Sequence, residues 1–147
     1  MLASITPLGE RGRNRSWGLT AAFYTVGSVA GGATRGALLG AVGMLIPASL
    51  RPSPTGVAVV LAILLAAAAV IEGTDLPISK LGPQRQVNED WLDTYRGWVV
   101  GIGFGFQLGF ALVVYITTAG LYVVFAAELL TFSWRVGMLL GAIFGFA

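Results

Sequence analysis

Four polar side chains interrupt the long apolar segments of this 147-residue sequence: Arg35, Gln107, Glu128 and Arg135. A charged side chain at the centre of a bilayer costs about 2.5 to 3.5 kcal/mol on insertion scales, so it usually faces a cavity or a partner charge. Arg35 lies in a segment without acidic residues, and Glu128 could supply its counter-charge. The chemistry that such residues support is the binding or passage of a small solute or ion.

Each of these residues also has a purely structural interpretation. Arg35 could reach the headgroup region along its aliphatic stem. Gln107 lies on a glycine-rich face, where an amide commonly hydrogen-bonds a neighbouring helix. Glu128 and Arg135 are seven residues apart, so they either share a face of one helix or flank a turn. Both interpretations remain open at the level of sequence.

The sequence offers few groups for catalysis. It has no Cys and no His, which excludes disulfides, thiol redox relays and zinc or haem sites built on those residues. One dense polar cluster contains Asn88, Glu89, Asp90 and Asp93. Its carboxylates could hold a divalent ion, as in some membrane transferases, but there is no second such cluster and a solvated helix face is the ordinary explanation. We therefore expect no enzyme activity, no metal site and no cofactor.

The composition indicates which elements must position these residues. Hydrophobic residues make up 56% and charged residues 11%, with a mean hydropathy of +0.80, whereas soluble domains carry about 25% charge. The nine basic residues are too scattered for a nucleic-acid surface. We expect one all-α domain over residues 1–147, an integral membrane helical bundle in the cell membrane, with the lipid bilayer as its partner.

The apolar segments predict four spans, at about 17–46, 57–72, 98–127 and 132–147. As one helix, the first would extend about 45 Å against a bilayer core of about 30 Å. It must tilt, protrude or break, and a break near residues 31–36 would give five spans. For the last boundary we favour a turn at 130–133 over one at 117–120, because it keeps Glu128 and Arg135 near an aqueous boundary.

The main polar connection is predicted to contain an amphipathic helix at about 84–96. Val87, Trp91 and Tyr95 share one face of this helix. Aromatic residues on the apolar side of such a helix are typical of a segment lying in the headgroup region. With four spans, six of the eight basic residues that flank the spans lie on the side of the N-terminus. The positive-inside rule places that side, and with it the interfacial helix, in the cytoplasm.

Many of the 21 glycines recur at four-residue spacing. The three runs are Gly32, Gly36 and Gly40; Gly101, Gly105 and Gly109; and Gly137, Gly141 and Gly145. In lipid, small residues let helix backbones approach closely. We expect these runs to pack helices within the bundle. A homo-oligomer interface, an interface with partner membrane subunits and the lining of a permeation path are the alternatives.

Two short patterns recur along the chain. Arg35-Gly36-Ala37-Leu38-Leu39-Gly40-Ala41 is similar to residues 135–142, and residues 15–17 are similar to residues 96–98. A small glycine-rich membrane chain with such a repeat and with breaks in its spans resembles the CcdA/DsbD-type membrane proteins. The resemblance implies a small translocating bundle. The paired cysteines of that family are absent, so its redox activity is not carried over.

Two functions are consistent with these patterns. The first is a small-solute or ion translocator, or part of one, as Arg35, Gln107 and Glu128 suggest. The alternative is a non-catalytic structural or assembly subunit of a larger membrane complex, as the glycine faces suggest. A water-filled cavity at Arg35 would favour the first, whereas pairing of Arg35 with a neighbour and no cavity would favour the second.

Overall fold

The computed structural model describes residues 16–74, 96–111 and 118–147. These residues form five α-helices and one short 3-10 turn, and they contain no strand. The helices are α1 (Trp17–Met44), α2 (Pro54–Glu72), α3 (Gly97–Phe110), α4 (Gly120–Leu129) and α5 (Trp134–Phe146). The all-α prediction is confirmed for the described part of the chain.

The longest helix, α1, is continuous over 28 residues. Ser16 caps it, because its hydroxyl accepts a hydrogen bond from the first turn at 3.3 Å. At the other end, the Arg51 guanidinium donates to the carbonyls of Met44 and Ile46. The break considered near residues 31–36 does not occur, because backbone of α3 and α5 packs directly against α1 there.

Helix α1 lies between α3 and α5. It runs parallel to α3, because the contacts keep the same order along both helices: Thr20 with Gly101, Tyr24 with Gly105 and Ser28 with Gly109. It runs antiparallel to α5, as the contacts of Gly32 with Gly141 and of Gly36 with Gly137 show. Helix α4 contacts α1, α2 and α5, and α2 packs chiefly on α4.

The span predicted at about 98–127 is not one continuous helix. Helix α3 ends at Phe110, and Ala111 adopts a left-handed backbone conformation with φ of 55°. The Ala111 N–H bonds to the Gln107 carbonyl at 3.1 Å, which is the hydrogen bond of an αL helix end. A separate helix, α4, begins at Gly120. The interruption therefore falls in the third predicted segment and not in the first.

We expect Ala111→Val to destabilise the protein by about 1 to 2 kcal/mol, because a β-branched side chain strains a left-handed residue. Ala111 is also buried, with 6% of its surface exposed. Ala111→Gly is the matched control, since glycine adopts this conformation freely. Thermal unfolding of the purified variants measures the difference. Equal stability of the valine and glycine variants would contradict the helix end described at Ala111.

The other helix limits differ little from the predictions. Helix α2 begins at Pro54 rather than at residue 57, because the Ser53 hydroxyl accepts from the Gly56 N–H at 3.2 Å and proline fits the first turn. Helix α1 ends two residues before position 46, and α5 begins two residues after position 132. The predicted interfacial helix and the acidic cluster near residue 90 lie outside the described residues, except for Arg96.

The buried interior contains few large apolar side chains. Among the described residues, the largest fully buried side chains are Arg35, Glu128 and Val100. Helix α2 has Ala68 as its one buried residue. In the described part of the chain, α2 is also the one helix whose length and apolar composition would suffice to cross a membrane. Many large apolar side chains are exposed, among them Leu45 and Ile63.

Candidate functional site

The most deeply buried polar feature is an ion pair between Arg35 of α1 and Glu128 of α4. Both side chains have 0% of their surface exposed. The Arg35 Nε donates to Glu128 Oε2 at 3.0 Å, and Nη2 donates to Oε1 at 2.7 Å. This is the bidentate geometry in which a guanidinium binds a carboxylate most strongly. The predicted pairing of Arg35 with Glu128 is thus present.

A third hydrogen bond joins Arg35 to the interrupted end of α3. The Nη1 group donates to the Gly109 carbonyl at 2.9 Å. This carbonyl lies in the last turn of α3, where carbonyls have no partner within the helix. The partial negative charge of a helix C-terminus also favours a nearby cation. Arg35 therefore stabilises the C-terminal end of α3 in addition to pairing with Glu128.

Two aromatic rings complete the surroundings of the guanidinium. The Arg35 Cζ lies 5.0 Å from the ring centroid of Phe125 and 4.7 Å from that of Phe144. Both distances are within the range of cation–π attraction. Phe125 belongs to α4 and Phe144 to α5, so α3, α4 and α5 all supply groups around the cation that α1 carries.

Glycines on both sides of Arg35 make this arrangement possible. The position of a Cβ on Gly32 or Gly36 is already occupied by backbone of α5, so the helices meet backbone to backbone. A Cβ on Gly141 would lie 3.2 Å from Glu128 Oε1 and would also meet the Gly32 carbonyl. Small residues at these positions let the charged groups of α1 and α4 meet beside the backbone of α5.

All nine glycines of the three predicted runs lie at helix contacts. Gly101, Gly105 and Gly109 face α1, and Gly137, Gly141 and Gly145 face α1 from the other side. Gly32 and Gly36 face α5, and Gly40 lies against the Ser133 carbonyl just before α5. All of these contacts join parts of one chain, as expected for glycine runs that pack helices within the bundle.

The other two candidates lie apart from the ion pair. Gln107 is half-buried in the last turn of α3, and its side chain makes no hydrogen bond with the described residues. Arg135 is exposed in the first turn of α5, with its guanidinium 5.3 Å from the ring of Trp134. The structure therefore joins Arg35 with Glu128 but not with Gln107 or Arg135.

The turn preferred from the sequence is present, and the Glu128 side chain beside it is fully buried within the protein. The chain turns at residues 130–133, where the Thr131 hydroxyl donates to the Glu128 carbonyl at 2.7 Å. The preference for this turn assumed that a buried Glu128 would be too costly. The bidentate bond to Arg35 offsets that cost, so the acidic side chain is accommodated in the interior.

Sequence reasoning missed a second contact at the interrupted segment. The carboxylate of Glu72, the last residue of α2, accepts from the Gly120 N–H at 3.3 Å and from the Thr118 hydroxyl. Glu72 is exposed, and these bonds place its carboxylate at the N-terminus of α4. The C-terminal end of α3 thus contacts the cationic Arg35, and the N-terminal end of α4 contacts the anionic Glu72.

Two cavities lie near these groups. One, of about 280 Å³, is lined by Ser28 of α1, Gly109 of α3 and Phe144 of α5. The other, of about 300 Å³, is lined by apolar residues of α2 and α4, including Ala68 and Val123. Within the described residues, no group of three or more acidic side chains could hold a metal ion.

Comparisons with protein-family models, with curated proteins and with solved structures gave no match. The Arg35 guanidinium is fully buried and its charge is neutralised by Glu128, so in this conformation it has little capacity to bind an anionic solute. What the arrangement can do is couple four helices, because any movement of α1 relative to α4 breaks a buried ion pair.

Proposed function

We propose that this chain is a multi-pass integral membrane protein with a cytoplasmic N-terminus, and that it translocates a small solute or ion, alone or as part of a larger assembly. Four crossings are proposed: α1, α2, α3 together with α4, and α5. This arrangement requires α3 to be parallel and α5 antiparallel to α1, and both directions agree with the observed contacts.

The exposed surface supports a bilayer as the surroundings of the bundle. The most apolar 18-residue stretch of α2 has a mean hydropathy of 2.5, and only 6% of that stretch is buried. Large apolar side chains also lie on the outside of α1 and α5, among them Val26, at 61% exposure, and Ile143, at 67%. Soluble monomers rarely expose contiguous apolar patches of this extent, whereas lipid contact explains them directly.

The observation that carries the translocation proposal is the buried ion pair at an interrupted helix. An ionisable residue inside a membrane is rare and usually marks a substrate or ion pathway. Interrupted helices, whose free ends face charged groups near mid-membrane, form the substrate sites of many transporters. A buried ion pair also adds little stability compared with apolar residues of similar size, so packing alone gives a weak reason for Arg35 and Glu128.

The alternative is a structural or assembly subunit of a larger membrane complex. One specific observation favours it: Arg35 is fully buried and pairs with a neighbour, without lining either cavity. In this alternative the exposed face of α2 would contact partner subunits or further copies of the chain. The interrupted helix and the cavity beyond Gly109 favour translocation instead, and we take translocation as the primary proposal.

Reconstitution into proteoliposomes tests the two functions against each other. We expect solute-loaded vesicles to release small polar solutes faster when they contain the protein than when they do not. Native mass measurement of the protein extracted from its own membrane gives the oligomeric state and the mass of any partner. Release equal to that of empty vesicles, together with a stoichiometric partner subunit, would replace translocation by the assembly role.

A further inference from the structure

The cavity beside Gly109 has an unusual lining for the interior of an apolar bundle. It lies between α1, the end of α3 and the last turn of α5, and it has a volume of about 280 Å³. Its wall includes three residues of α1, namely Tyr24, Thr25 and Ser28. Tyr24 and Thr25 are adjacent, and Ser28 lies one helical turn further along. Three residues that carry hydroxyl groups therefore line one small space.

Ser28 is the most informative of the three. Its exposed fraction is 8%, and its hydroxyl makes no hydrogen bond with any of the described residues. The neighbouring Thr25 hydroxyl, by contrast, donates to the Ala21 carbonyl at 3.1 Å. Buried polar groups in proteins almost always have a partner, supplied by protein or by an occupant of the site. The Ser28 hydroxyl thus indicates a polar occupant of the cavity.

The charges around the cavity indicate that this occupant is uncharged. None of the side chains that line it is charged. Arg35 lies behind the wall, since it bonds the Gly109 carbonyl and contacts the Phe144 ring. Glu128 neutralises that cation at 2.7 Å. No side chain that lines the cavity would balance the charge of an ion there, and an unbalanced charge is unfavourable in an apolar bundle.

We infer that this cavity binds a small uncharged solute that carries hydroxyl groups, with the Ser28 hydroxyl as its buried hydrogen-bonding group. This inference rests on the proposed translocation, for which it names a substrate class. The volume would accommodate about nine water molecules at the density of the liquid, which is ample for a three-carbon polyol. Glycerol is therefore a suitable probe.

Because the sequence contains no cysteine, a thiol reagent will label a single introduced cysteine and no other residue of the sequence. We would label Ser28→Cys in nanodiscs with the small neutral reagent methyl methanethiosulfonate. Thr34→Cys is the matched control, because Thr34 lies on the exposed side of the same helix and would face lipid. A thiol reacts as the thiolate, which forms in a hydrated cavity but not in lipid. We expect labelling of Cys at position 28 to be at least tenfold faster than at position 34.

Glycerol should slow labelling at position 28 by at least threefold and leave position 34 unchanged. If Ser28→Cys does not fold, Thr25→Cys probes the same wall and carries the same expectation. The inference would be overturned if labelling at position 28 were no faster than at position 34. It would also be overturned if glycerol did not slow labelling at position 28. Protection without glycerol release from proteoliposomes would keep the site but reject translocation. Release without protection would keep translocation but reject this site.

Discussion

Removing one partner of the Arg35–Glu128 pair is expected to lower the free energy of unfolding by about 3 to 5 kcal/mol, the usual cost of leaving a buried charge unpaired. Arg35→Met leaves the Glu128 carboxylate without its cation and removes the donor to the Gly109 carbonyl. Glu128→Leu leaves a guanidinium among aromatic rings. Unfolding of each variant in detergent, followed by circular dichroism, measures the loss.

The double variant Arg35→Met/Glu128→Leu is the control for this prediction. Replacing a buried ion pair with apolar residues of similar volume is often neutral or stabilising, so the double variant should recover most of the lost stability. If either single variant costs less than about 1 kcal/mol, the value of an exposed pair, then the pair is hydrated and the described burial is incorrect.

The second large effect is expected at the contact of α1 with α5. A Cβ on Gly36 would overlap the Gly137 carbonyl, which belongs to backbone and cannot rotate away. Gly36→Ala should therefore separate the helices and destabilise the protein by about 1 to 3 kcal/mol, the typical cost of overpacking a close contact. The separation would also lengthen the hydrogen bonds that the neighbouring Arg35 donates to Glu128 and to the Gly109 carbonyl.

Gly18→Ala is the matched control on the same helix. A Cβ at Gly18 meets no atom within 4 Å, so only the helix propensity of alanine acts there. We expect Gly18→Ala to stabilise the protein by up to about 1 kcal/mol. The two substitutions are chemically identical, and opposite signs in thermal unfolding would identify the helix contact as the cause. Stabilisation by both would contradict the close approach of α1 and α5.

The sequence contains enough information to anticipate part of the site. The four-residue spacing of glycine indicated close helix contacts, and the lack of an acidic residue near Arg35 pointed to Glu128 as its counter-charge. Which helix meets which could not be read from spacing, because all three runs are alike. Only the folded chain places Gly36 on Gly137 and Gly105 on Tyr24.

The interruption after Phe110 was beyond local sequence rules. Neither glycine nor proline occupies position 111, where Ala111 adopts the left-handed conformation. The carbonyls at this helix end are supported from elsewhere, by Arg35 through Gly109. A helix end that depends on a side chain 74 positions away leaves no local signal. The same holds for Ser28, whose exposure to a cavity depends on three helices.

The measurement that tests the functional role of the ion pair most directly is solute release from proteoliposomes containing the folded Arg35→Met/Glu128→Leu variant. If the pair serves translocation, this variant should retain its fold and release solute at least tenfold more slowly than the wild-type protein. If the pair serves packing alone, the variant should release solute at the wild-type rate. That second result would contradict the proposal that a charge pair at the interrupted helix takes part in translocation.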